Sequence, residues 1–125
     1  MIEDGFFKAS EFASKDGKPS PYGPMNVRQE LVDFLNQLRL RFGHSLIVTS
    51  GYRSPEHNKA VGGVPNSQHV KGLAADIRPQ NPAHLTDLWA LANDMNETGG
   101  VGRYDTFVHV DRRGVRARWD YRSKK

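Results

Sequence analysis

Apolar residues recur at helical spacing in two stretches of the chain and gather into short runs elsewhere. Val27, Leu31, Phe34, Leu35, Leu38 and Phe42 fall three or four apart, with Arg28, Glu30, Asp33 and Arg39 on the other faces, which predicts an amphipathic helix. Asn26 is placed to cap its start, with Gln29 three residues on, and Gly43 to close it. Leu46-Ile47-Val48-Thr49-Ser50 is short and β-branched, the signature of a buried strand. Ser54-Pro55 predicts a short capped helix that Gly62-Gly63 ends, followed by a loop over 64–72 and a second strand over Leu73-Ala74-Ala75-Asp76-Ile77. Leu85, Leu88, Trp89, Ala92 and Met95 mark a second long helix between Pro82 and Gly99-Gly100. Three short strands follow, at Val101, at Phe107 to Asp111 and at Val115 to Trp119, the last two joined as a hairpin through Arg113-Gly114. Residues 1–25 hold Gly5, Gly17, Pro19, Pro21, Gly23 and Pro24 and read as an irregular opening segment that Phe6, Phe7 and Phe12 pin to the core. Two main helices and about five strands predict an α+β fold with a mainly antiparallel sheet. The absence of repeats and linkers makes residues 1–125 a single domain.

Composition narrows the function classes. An apolar fraction of 37% and a charged fraction of 26% suit a polar globular chain. No run nears the roughly 18 apolar residues of a spanning helix, which excludes membrane insertion. Met1-Ile2-Glu3-Asp4 is acidic, and no secretory signal is expected from it. Cysteine is absent, so disulfide scaffolds, thiolate metal sites and cysteine nucleophiles are excluded. A transition-metal site must therefore draw on the five histidines and on carboxylates. The net charge of +4 is concentrated at one end: from Arg103 onward eight basic residues face three acidic ones, leaving the rest of the chain at −1. Such a region attracts anionic polymers or serves only as a solvated tail. Among its clustered basic residues from Arg112 on, the interleaved aromatic rings are Trp119 and Tyr121, too thin a pattern for a nucleic-acid binder.

The candidate chemistry begins at Ser67-Gln68-His69-Val70-Lys71-Gly72-Leu73-Ala74-Ala75-Asp76. A histidine in a loop precedes by seven residues an aspartate set in an apolar strand, where a carboxylate is costly without a cation. That cation is either a metal or an arginine such as Arg53 or Arg78. In Phe107-Val108-His109-Val110-Asp111, strand alternation puts Phe107, His109 and Asp111 on one face and the valines on the other. His69, Asp76 and His109 together have the two-histidine, one-carboxylate composition of a catalytic zinc site with an open fourth position. His44, at a helix end, and His57 and His84, in helical segments, read as surface groups.

Ser67-x-His69-x-x-Gly72-x-Ala74-x-Asp76, followed by His109 in its Phe-Val-His-Val-Asp strand, resembles the M15 family of zinc D-Ala-D-Ala peptidases, which share a fold with lysostaphin-type, D-alanyl-dipeptidase and hedgehog-like zinc domains. Ser50-Gly51-Tyr52-Arg53-Ser54-Pro55 is similar to the family's segment upstream of the first zinc ligand, and Phe7-Lys8-x-Ser10-Glu11-Phe12 to the start of small phage-borne members. The resemblance implies a zinc site in a cleft on the sheet, with His69, Asp76 and His109 as ligands. It also implies that Arg53 binds a substrate carboxylate or steadies an oxyanion, that Ser67 lines the cleft, and that Gly72 allows the turn into the second strand. Many relatives place a catalytic Glu or Asp three residues before the last histidine, where this chain has Thr106. Asp111 is the expected substitute as general base and Asp105 the second choice. On that assignment Asp111→Asn keeps zinc and loses turnover.

These readings predict a monomeric zinc peptidase that cuts an amide bond of peptidoglycan peptides, as a D-Ala-D-Ala carboxypeptidase or a murein endopeptidase. It would be made in the cytoplasm and act at the cell wall, in phage release or from a virion, with anionic wall polymers as further partners. The alternative is a non-catalytic, zinc-stabilised domain that binds the wall or a protein partner.

Overall fold

The computed structural model describes residues 2–123 and begins with a two-stranded hairpin, β1 (Glu3–Asp4) and β2 (Phe7–Lys8), followed by a 3₁₀ turn over Ala9–Phe12. Phe7 and Phe12 are buried as expected, but Phe6 is half exposed beneath the Arg39 guanidinium. The rest of the opening segment is tied down rather than merely draped. Tyr52 N–H donates to the Phe12 carbonyl at 2.9 Å. Ser54 N–H donates to Ser14 Oγ at 3.0 Å, and the Ser14 and Ser54 hydroxyls both donate to Asp16.

Helix α1 (Gln29–Phe42) buries Leu31, Val32, Phe34, Leu35 and Leu38 and ends at Gly43, whose φ of 77° is the left-handed closure the sequence predicts. Its start differs from expectation. Arg28, not Asn26, occupies the cap position, because long-range bonds fix the chain there: Arg28 N–H reaches the Gly72 carbonyl and its Nε the Lys71 carbonyl, both at 2.9 Å. Asn26 instead adopts φ 68° and gives its side-chain amide to the Ala9 carbonyl. Next come β3 (Leu46–Ser50), α2 (Pro55–Ala60) with the Ser54 hydroxyl capping His57 N–H, β4 (Ala74–Pro79) and α3 (Leu85–Met95). Strands β5 (Gly100–Arg103), β6 (Val108–Asp111) and β7 (Ala117–Asp120) complete the described chain.

The main sheet runs β3-β4-β6-β5-β7, antiparallel except for the β5–β7 pair. The fold is therefore α+β with two main helices, as the sequence predicts. The expected hairpin between β6 and β7 does not form. Strand β6 already has β4 on one side and β5 on the other, so the chain after Gly114 crosses over and adds β7 to the free edge of β5. Ile77, Val101, Val108 and Val110 face α1 and α3 across one core, and strand alternation turns Asp76 and His109 to the opposite face.

The basic C-terminal region is largely consumed by the fold. Arg118 donates to the carbonyls of Asn93, Asn96 and Gly99 around the end of α3, where a cation meets the negative pole of the helix. Arg112 bonds Asn96 Oδ1, Arg113 pairs with Asp111, and Arg122 with Asp120. Lys124 and Lys125 lie outside the described residues. Among those residues no helix is long and apolar enough to cross a membrane.

Candidate metal centre

Adjacent antiparallel strands bring together two residues 33 positions apart. Asp76 on β4 stands opposite His109 on β6, and partners so paired share a face. His69 joins them from the loop before β4. That loop is wound tightly: Ser67 Oγ accepts from His69 N–H, and Gly72 N–H donates to the His69 carbonyl. Gly72 has φ 71°, and a Cβ there would lie 2.6 Å from Tyr22 Cγ, so only glycine fits. All three side chains are buried, at 3%, 8% and 8% exposure, and one donor atom from each lies within 4.8 Å of the others.

The hydrogen bonds decide which atoms face inward. His69 Nδ1 is 2.8 Å from the Gly51 carbonyl, which can only accept, so Nδ1 carries the proton and Nε2 is left toward Asp76 at 3.3 Å. His109 is held from both sides: Nδ1 is 3.0 Å from Asp76 Oδ1 and Nε2 is 2.8 Å from Asp111 Oδ2. Burial alone would raise the Asp111 carboxyl, but hydrogen bonds from Arg113 and His109 outweigh it and hold the group well below the usual carboxylate range. Ionised Asp111 therefore accepts a hydrogen bond from Nε2–H and leaves Nδ1 for a ligand. Asp76 is likewise held below the ordinary range, its burial offset by the His109 and His69 rings beside it. The inward set is one nitrogen from each histidine and a carboxylate oxygen, a donor set that fits zinc.

These groups sit at the floor of a cleft of about 720 Å³. Arg53 lines it, with Nη2 3.7 Å from Asp76 Oδ2 and Nη1 3.4 Å from Asn58 Oδ1. Ser67 lines it too, although its hydroxyl is engaged with the His69 amide. Asp111 does not. It is fully buried behind His109, where it accepts from Gly100 N–H at 3.0 Å and from Arg113 Nε and Nη2, each at 2.8 Å. Asp105 lies in an exposed turn and accepts from Ser123 N–H, and Thr106 is exposed beside it. Among the described residues lining the cleft, Asp76 is the one carboxylate.

One wall of the cleft is aromatic and escaped the sequence reading. Tyr104 stacks on Phe107 at 4.3 Å between ring centres, across the turn that joins β5 to β6, and Trp119 lies 5.1 Å from the His109 ring. Beyond Phe107, already placed on the His109 face, the sequence trace of this wall is Gly102, a glycine in a strand, which marks a close approach by another group.

A model of the peptidase M15 family matches residues 2–111. The chain belongs to the peptidase M15 family. No curated protein is similar enough to this M15 chain to match it. Family membership supports a peptidase. The matched region contains the three inward-facing residues and stops before β7.

Proposed function

We propose that this M15 chain is a zinc peptidase that hydrolyses an amide bond in the peptide part of peptidoglycan, as a D-Ala-D-Ala carboxypeptidase or a murein endopeptidase. The carrying observation is the convergence of His69 Nε2, Asp76 and His109 Nδ1, each oriented by a hydrogen bond or strand pairing, at the floor of an open cleft. Zinc, when bound, supplies Lewis acidity that polarises a carbonyl and makes water a stronger acid. Arg53 binds a substrate carboxylate or the developing oxyanion, since its guanidinium faces the cleft beside Asp76. Ser67 shapes the loop that presents His69. Asp111 orients His109 instead of serving as the general base, because it has no path to the cleft and its oxygens are committed to Arg113, His109 and Gly100.

One observation favours a second reading, a zinc-stabilised domain that binds the wall without cutting it: the cleft offers no second carboxylate to take a proton from water. Mass spectrometry of fragments released from defined peptidoglycan, with and without a chelator, separates the two. Release of peptide fragments that a chelator abolishes supports the peptidase and identifies the bond. Intact peptidoglycan in the presence of zinc-loaded protein overturns it.

A further inference from the structure

We propose that Tyr104 is the hydrogen-bond donor to the reacting carbonyl oxygen of the substrate, and that Trp119 aims it. The assignment rests on the peptidase reading above and supplies a polar group the sequence did not reveal. Tyr104 is the first residue after β5, in the turn toward β6, and it lines the cleft together with His109, the partner of Gly102 across the β5–β6 pair. Gly102 is also paired with Trp119 on β7. A Cβ on Gly102 would run into the Trp119 indole, 2.8 Å from Cζ2, so the missing side chain lets the indole lie across β5 toward His109.

There the indole Nε1 donates to the Tyr104 hydroxyl at 2.9 Å. An indole N–H can only donate, so the phenol oxygen must accept, and the phenol's own proton points elsewhere. No protein acceptor takes that proton among the described hydrogen bonds of Tyr104. The ring cannot swing away, because it is stacked on Phe107 and edged by Tyr121. It lines the same cleft as Asp76 and Arg53. Of the charged donors near the floor, Arg113 spends Nε and Nη2 on Asp111, and Arg53, beside Asp76 and Asn58, is the group suited to a substrate carboxylate. A preset neutral donor beside the metal ligands is suited to an oxygen on which negative charge develops.

The test compares zinc-loaded wild type with Tyr104→Phe, which keeps the ring stack, and Trp119→Phe, which keeps an aromatic ring beside His109. Three quantities are measured: kcat and KM on a purified stem peptide, zinc affinity against a competing chelator, and binding of a phosphinate dipeptide that mimics the tetrahedral species. Tyr104→Phe is expected to lower kcat by about 10²–10³-fold with KM changed less than about threefold. It should also weaken phosphinate binding and leave zinc affinity as in wild type. Trp119→Phe should lower kcat by a smaller factor, since the donor remains but is no longer aimed. Unchanged kcat in Tyr104→Phe, or a loss matched by lost zinc affinity, would overturn the assignment. If wild type cuts no stem peptide, the peptidase reading itself fails. The phosphinate arm then decides separately: weaker binding to Tyr104→Phe upholds the donor, and equal binding to both proteins, or to neither, removes it.

Discussion

His109 is gripped through both ring nitrogens, and the two grips have different consequences. Asp76 belongs to the donor set, while Asp111 fixes which nitrogen carries the proton and how the ring is turned. Asp111→Asn is therefore expected to weaken zinc binding by about 10–100-fold, read by chelator competition, in a protein whose circular dichroism shows it folded. Retained zinc with lost turnover in the same variant would instead make Asp111 the base. The sequence could place Asp111 on the same strand face as His109, because alternation alone determines that. It could not show that Arg113, two residues further on, curls back and takes both carboxylate oxygens. Such a contact depends on side-chain torsions rather than spacing. Tyr104 was illegible for a related reason: its role depends on a tryptophan fifteen residues away that arrives through a strand crossover.

Among the elements, those with local signals matched the sequence most closely. The β-branched and apolar run Leu46 to Thr49 of β3, the Ser54-Pro55 start of α2 and the glycine closing α1 each carry their own local signal. The start of α1 and the pairing of β7 failed because tertiary bonds decided them, through Gly72 in one case and the occupied edges of β6 in the other. The opening segment shows the same principle, with a measurable outcome. Hydrogen bonds from the Ser54 and Ser14 hydroxyls lower the Asp16 carboxyl from 3.8 to about 2, and together they fasten the segment to the first turn of α2. A carboxyl lowered in the folded state stabilises the protein above its unfolded value, and that contribution fades as pH falls from 3.8 toward 2. Thermal unfolding between pH 2 and 5 should accordingly show a steeper fall in Tm for wild type than for Asp16→Asn, with the curves converging at the acid end. Parallel curves would mean the Asp16 bonds contribute nothing in solution.

For the molecule as a whole, the donor set couples metal to stability. The three side chains come from a loop and two strands that meet only in the folded state, so zinc binds the native chain in preference to the unfolded one. Free zinc at a hundredfold excess over its Kd is expected to add about 2.7 kcal/mol, seen as a higher Tm in scanning calorimetry and reversed by a chelator. An unshifted Tm would exclude tight binding at this centre.

The crossover that carries β7 to the far edge of the sheet also imposes an order in time. Domains fold as the chain leaves the ribosome, N-terminal parts first, and a parallel pairing of distant segments is slow to close. His69, Asp76 and His109 all emerge before Trp119, which must then return across Arg113-Gly114 to lie over Gly102. The donors are thus synthesised before the tryptophan that lies against the His109 ring. Cleft assembly is finished only by the last strand to be translated among those described.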